Sequence, residues 1–245
     1  MKFRKLFAII VIWIVSHTFL YGQVREHIFG EIIGLALPST MITYGFISLG
    51  DNGIREIDYR VRQSLEKNNQ FWNTHVDDYM QFAPAVAAYT MKLCKIESAH
   101  NLLEMTVLYG LSSILSGGLI SKTKVMTARE RPDHSNNRSF PSGHTETAFV
   151  AAEFLHQEYK NESVWISICG YSAATFVGIA RVYNNKHWVS DVVAGAGIGI
   201  LSTKAVYWIY PCVRKKIRKN DKPLQTFVFP EYNNENLSLY LFHTF

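Results

Sequence analysis

The sequence predicts an all-α fold, a helical bundle associated with a membrane, and three observations predict it. Apolar stretches recur at residues 32–49, 79–91, 102–121, 145–155, 164–179 and 188–210. Apolar residues form 48% of the chain and aromatic residues 13%, with a mean hydropathy of -0.01. That balance is high for a water-soluble chain and modest for one built wholly of spanning helices, so it suggests helices lying against or partly within a bilayer. Gly195, Gly197 and Gly199 stand inside the last stretch, where small residues allow close helix packing.

Taken in order, residues 1–22 begin with Lys2, Arg4 and Lys5, continue through an apolar run and end on Gly22. This is the layout of a secretory signal peptide, and an uncleaved signal anchor fits it as well. In both cases one helical domain is expected at 23–220, since no Gly/Ser/Pro-rich linker divides it. The stretch at 32–49 is interrupted by Gly34, Pro38 and Gly45. Those at 79–91 and 145–155 fall short of the roughly 20 residues needed to cross hydrocarbon, and the second carries Glu146 and Glu153. A tail at 221–245 alternates apolar and polar residues on either side of Asn233-Asn234-Glu235-Asn236, the pattern of a short β-hairpin or an extended strand.

Three short segments carry the chemistry. Lys124 precedes Arg131-Pro132; Pro141-Ser142-Gly143-His144 follows; Arg181 then precedes His187 and Asp191. Lys124, Arg131 and Arg181 suit a phosphate monoester, which is close to dianionic at neutral pH and whose transition state spreads charge over its equatorial oxygens. The planar fork of arginine meets two such oxygens at once. His187 and Asp191 are spaced to share one helix face, so the carboxylate can accept the Nδ1 proton and leave Nε2 to attack phosphorus. An alkoxide leaves poorly without a proton, and His144 is placed to supply it. Gly143, opening a helix, offers its backbone amide to the phosphate. No His/Cys/Asp set has metal-ligand spacing, so the cations take the place of a metal and no cofactor is expected.

These segments resemble the signature of the type 2 phosphatidic acid phosphatase superfamily, which also includes bacterial class A acid phosphatases and vanadium haloperoxidases. The resemblance spans Lys124 to Asp191, a little over a quarter of the chain. It implies an α-helical bundle in which Lys124, Arg131 and Arg181 bind phosphate and Ser142 and Gly143 line it. His144 is then the acid, and His187 with Asp191 the nucleophilic pair. Ala180 departs from the pattern, because the family usually has serine there; the change removes one hydroxyl donor, about 1 kcal/mol of hydrogen bond. Arg129, Asp133 and His134 lie among the signature residues but outside the pattern, and read as solvated loop residues near a substrate headgroup.

The expected substrate is a phosphorylated membrane lipid: lipid A, undecaprenyl pyrophosphate, or the phosphatidate and phosphatidylglycerophosphate class. A periplasmic acid phosphatase of broad specificity and a non-catalytic phospholipid-binding member are the alternatives. The net charge of +5 comes largely from the two ends of the chain and speaks for attraction to a membrane surface rather than to nucleic acid. The basic run at 214–219 favours the cytoplasmic side, which places the signature loops at the periplasmic face of a bacterial inner membrane. Cys94, Cys169 and Cys212 lie far apart in apolar settings and read as buried thiols.

Overall fold

A computed structural model describes residues 26–220, 226–233 and 236–243, with side chains described for 34–216. The signal peptide or anchor expected at 1–22 lies outside the described residues. The helices are α1 (Glu26–Ile47), α2 (Gly53–Lys67), α3 (Val76–Met80), α4 (Ala83–Leu93), α5 (Leu102–Thr127), α6 (Gly143–Tyr159), α7 (Val164–Tyr183) and α8 (Val189–Asn220). Two compact units are distinguished, Met1–Lys204 and Ala205–Phe245. Within the second unit, β1 (Thr226–Asn233) and β2 (Asn236–His243) pair antiparallel, with Thr226 opposite His243 and Asn233 opposite Asn236. The hairpin forms where the sequence alternates.

Local sequence explains where the helices begin. Asn52 caps α2 by accepting from the backbone N–H groups of Ile54 and Arg55. Asn101 and Glu104 form a reciprocal capping box at the start of α5. Ser163 caps α7, and Pro84 occupies the first turn of α4, where its missing N–H is harmless. The apolar stretch at 79–91 is therefore not one helix; it breaks between α3 and α4.

The short helix α6 is the axis of the first unit. It packs on α4, α5 and α7, and its residues are buried nearly all round, including Ala148, Phe149, Val150, Ala151, Ala152 and Phe154. A helix buried on every side needs no amphipathic stripe, which accounts for its weak periodicity. The core joins Ala148, Phe149 and Ala152 of α6 to Ala174 and Val177 of α7 and Ala196 and Ile200 of α8. By contrast α5, α7 and α8 contain segments long and apolar enough to cross a membrane, at Leu102–Thr127, Val164–Tyr183 and Val189–Lys216. The outward faces of α5 and α7 carry Leu103, Ile114, Met126 and Trp165, each mostly exposed in the isolated chain, as expected for residues that face lipid.

The glycines of α8 serve two interfaces. A Cβ on Gly195 would lie 2.5 Å from the Ser142 carbonyl oxygen, and one on Gly199 would lie 2.6 Å from that of Glu146, so both face α6. A Cβ on Gly197 would lie 2.6 Å from the Pro38 oxygen of α1. Gly195→Ala is expected to destabilise the protein by about 1–3 kcal/mol through overpacking against backbone that cannot yield. Thermal unfolding in detergent measures this, and an unchanged midpoint would show that the two helices separate at little cost.

One expectation about the core is corrected. Cys94, Cys169 and Cys212 are free and exposed rather than buried. Apolar sequence around a cysteine marks an outward-facing helix side here as readily as an inner one, because the exterior is itself apolar.

Candidate active site

All the signature residues stand at one end of the helix bundle. Lys124 lies in the last turn of α5, Gly143 and His144 open α6, Arg181 lies in the last turn of α7 and Asp191 lies in the first turn of α8. Successive helices that reverse direction bring the C-terminus of one beside the N-terminus of the next. The positive ends of α6 and α8 therefore meet the cations of α5 and α7.

The chain turns at the helix ends explain the closer placements. After α7, the Asn184 N–H bonds back to the Ala180 carbonyl, and Asn185 adopts a left-handed conformation with φ 56°. The chain then doubles back, and the N–H groups of Lys186 and His187 both donate to the Arg181 carbonyl, at 3.0 and 3.3 Å. The nucleophile candidate is thereby tied to a phosphate-binding arginine through backbone alone. After α5, Ala128 takes the left-handed conformation that starts the return toward Pro141. Lys124 Nζ reaches across that return and donates to the Arg138 carbonyl at 2.7 Å. A Cβ on Gly143 would touch the Lys124 side chain at 4.0 Å, which brings Lys124 beside the first residue of α6.

His187 is buried, with Nδ1 3.5 Å from Asp191 Oδ2, short of a closed hydrogen bond. Asp191 is held from four directions. Oδ2 accepts from the Trp188 N–H at 3.0 Å and from the Ser139 hydroxyl. Oδ1 accepts from Arg129 Nη1 at 2.7 Å, and the Asp191 backbone carbonyl accepts from the Ser142 N–H at 3.0 Å. The Trp188 bond is the return half of a capping box, so Asp191 also starts α8. Burial pulls the His187 imidazole down to about 4; the attraction of Asp191 opposes this, while Lys124 and Arg181 reinforce it. The ring is therefore neutral, with its lone pair available, above that value.

Arg181 Nη1 is paired with the buried Asp77 carboxylate. Burial, then repulsion from Arg181, lowers the value of Arg131, a sign of crowded positive charge. The Nε donors of Arg131 and Arg181 are buried without a protein partner, as is His187 Nδ1. Ser142 is fully buried at the N-cap of α6, and its hydroxyl oxygen accepts from Thr145 at 2.9 Å. Ala180 is fully buried. His144 Nε2 lies 2.8 Å from Asp78 Oδ1. Burial first and the Arg181 charge next pull its imidazole below the ordinary value, against the opposing effect of Asp78.

Two loop residues expected to be solvated are not. Arg129 is nearly buried and bridges two fully buried carboxylates, Asp58 of α2 and Asp191, each at 2.7 Å. Asp58 also accepts from the N–H and hydroxyl of Ser190, so α2, the loop after α5 and the start of α8 close on one guanidinium. Asp133 pairs with Lys186 at 2.7 Å and pins the same loop to the turn after α7. His134, paired with Glu130, is solvent-exposed as read. Asp58, Asp77 and Asp78 are not singled out by the sequence, and the burial of Arg129 is not foreseen by it, because their partners lie 60 or more positions away in most cases. The one available signal was the presence of carboxylates within otherwise amphipathic or apolar segments.

Among the described residues, Asp77, Asp78 and His144 bring potential metal-ligand atoms within 4.8 Å of one another. Asp77 is already committed to Arg181 and to Asn184 Nδ2, 3.0 Å from its other oxygen, so a cation there would have to compete with a guanidinium.

The sequence matches the PAP2 superfamily over residues 105–215, an interval that contains every signature residue. It is 38% identical over 160 residues to a lipid A 1-phosphatase of Porphyromonas gingivalis, covering 65% of this chain and 34% of that protein. The chain thus spans about a third of the length of that relative. It is 36% identical over 195 residues to phosphatidylglycerophosphatase B of Bacillus subtilis, covering 74% of this chain and 91% of that protein. A crystal structure of a transmembrane PAP2 type phosphatidylglycerolphosphate phosphatase from Bacillus subtilis aligns over 76% of this chain and 98% of that one, at 22% identity and a TM-score of 0.46. With an identity of 36% extending over nine-tenths of one relative, and the signature in place from Lys124 to Asp191, the chain belongs to the PAP2 superfamily.

Proposed function

We propose that this protein is a phosphatase that hydrolyses the phosphate ester of a membrane lipid, of the lipid A, undecaprenyl pyrophosphate or phosphatidate and phosphatidylglycerophosphate class, through a phosphohistidine on His187. The observation that carries the reading is the set of buried donors at one bundle end. The Nε groups of Arg131 and Arg181 lack protein partners, beside a buried neutral imidazole backed by a carboxylate. Buried N–H groups without partners are costly, and phosphate oxygens would satisfy them. The apolar outer faces of α5 and α7 support a substrate delivered from the bilayer, and the names of the two relatives support a lipid phosphate.

In this mechanism Lys124, Arg131, Arg181 and the Gly143 amide hold the phosphoryl oxygens, with Ser142 shaping the cradle. His187 Nε2 attacks phosphorus, and Asp191 supports the charge that develops on the ring. His144 protonates the leaving oxygen and then takes a proton from the water that cleaves the phosphohistidine. The site is assigned to the periplasmic face, because the basic run at 214–219 follows the apolar stretch that starts near Asp191 and is retained in the cytoplasm.

Phosphate release from a panel of lipid phosphates in detergent, set beside a soluble aryl phosphate, tests the proposal. Turnover of at least one lipid phosphate is expected, and it should persist in EDTA. Loss restored by a single divalent ion would overturn the metal-independent mechanism. The pH dependence follows from the two histidines: His187 must be neutral, which holds above about 4, and His144 must be protonated, which holds below its lowered value. The kcat/KM profile is therefore expected to peak on the acidic side of neutrality, and a maximum in alkaline solution would contradict these roles.

A further inference from the structure

We propose that Asp78 is a positioning residue for the second histidine: its carboxylate holds the Nε2–H of His144 and presents the ring, through Nδ1, as the proton donor to the oxygen leaving phosphorus. The inference rests on the reading of His144 as the acid, and nothing in the signature segments points to Asp78.

The geometry that carries it begins with α3. This short helix is strapped to the end of α7. The Trp72 N–H donates to the Tyr183 carbonyl at 2.8 Å, and the two rings stack with centroids 4.6 Å apart. Asn184 Nδ2 donates to the Thr74 carbonyl at 2.9 Å, and Asp77 is buried against Arg181. With Asp77 turned inward, its neighbour Asp78 is left facing the site, where Oδ1 lies 2.8 Å from His144 Nε2 and 3.8 Å from Arg181 Nη1. The other carboxylate oxygen meets His75 Nδ1 at 3.3 Å.

Each histidine thus has its own carboxylate. Asp191 faces Nδ1 of His187 and leaves Nε2; Asp78 engages Nε2 of His144 and leaves Nδ1. The charged groups that bear on His144 are Arg181 from α7 and Asp77 and Asp78 from α3. Burial and Arg181 disfavour its charged form, and an acid must carry the proton before it can give it, so the opposing carboxylate matters for the reaction. Burial would raise the value of Asp78 itself, but the hydrogen bonds from His144 and His75 outweigh it and hold the group ionised.

The His187 Nε2 lone pair forms the bond to phosphorus while the ester P–O bond breaks. Its electron pair stays on the alcohol oxygen, which takes the Nδ1 proton of His144, and the Nε2 proton remains on the bond to Asp78. Water then attacks phosphorus, the P–N bond breaks with its electron pair returning to His187 Nε2, inorganic phosphate leaves, and a proton of the water passes to His144 Nδ1.

The test uses Asp78→Asn and Asp78→Glu in the full chain in detergent, with a lipid alkyl phosphate and p-nitrophenyl phosphate as substrates. Asp78→Asn is expected to lower kcat on the alkyl ester by about 30-fold or more and on the aryl ester, whose leaving group needs little protonation, by less than about threefold. The basic limb of the alkyl-ester pH profile should move to lower pH, and Asp78→Glu should recover part of the rate. Equal losses on both esters would mark a structural role for Asp78, a lower KM with kcat unchanged would make it a competitor for the phosphate cradle, and unaltered kinetics would remove it from the reaction; each overturns the proposal. Titration of His144 by ¹⁵N NMR, where Asp78→Asn should lower its value, reads the same contact without turnover. If the wild-type protein hydrolyses no lipid phosphate, the proposed function fails, while a shifted titration still upholds the Asp78 contact.

Discussion

His187→Ala is expected to lower turnover by about 10⁴-fold or more on every phosphate ester, whatever its leaving group, because attack on phosphorus is common to all of them. The loss should appear in kcat with little change in thermal midpoint. Asp191 keeps its bonds from Arg129, the Trp188 N–H and Ser139 when the imidazole is removed, so no buried carboxylate is stranded. Single-turnover phosphate release and an acid-labile phosphoenzyme that is present in the wild type and absent from the variant are the measurements. A variant that still forms the phosphoenzyme would move the nucleophile elsewhere, with His144 the next candidate.

Arg129→Ala should be the most destabilising substitution around the site. It leaves Asp58 and Asp191 both fully buried without their shared cation, and breaking a buried pair in this way costs about 3–5 kcal/mol. It also removes the Oδ1 hold on the carboxylate that orients His187, leaving the bonds to Oδ2, and turnover at a temperature where the variant is folded should fall by about 100-fold. Arg129→Lys should recover part of the stability but not all of it, since an ammonium cannot meet both carboxylates with the fork that Nη1 and Nη2 provide. Unfolding in detergent gives the first quantity and kcat under native conditions the second. A fully stable Arg129→Ala protein would mean that the two aspartates take up protons or water at little cost.

The burial of Arg129 is not legible in the sequence around it. Its sequence surroundings, Thr127-Ala-Arg-Glu-Arg131-Pro132, are those of a polar loop leaving a helix, and nothing nearby indicates a buried charge. Burial follows from Asp58, 71 positions earlier, and Asp191, 62 positions later. The same holds for Asp77 and Asp78, whose functional partners Arg181 and His144 come from other helices. The cysteines erred in the other direction, since apolar neighbours imply burial only when the exterior is polar.

What the sequence by itself determined is the local and periodic part: the helical class, the stretches able to span a bilayer, the C-terminal hairpin, and the three segments that carry the cations and histidines. These follow from short-range rules, since helix caps, strand alternation and the four-residue spacing of His187 and Asp191 act within a turn or two of chain. Only the tertiary structure decided which carboxylate serves which basic group. In a dry bundle end a charge is stable only with its partners in contact, and antiparallel helices bring those partners from positions remote in the chain. The pairing is a property of the packed bundle rather than of any one segment.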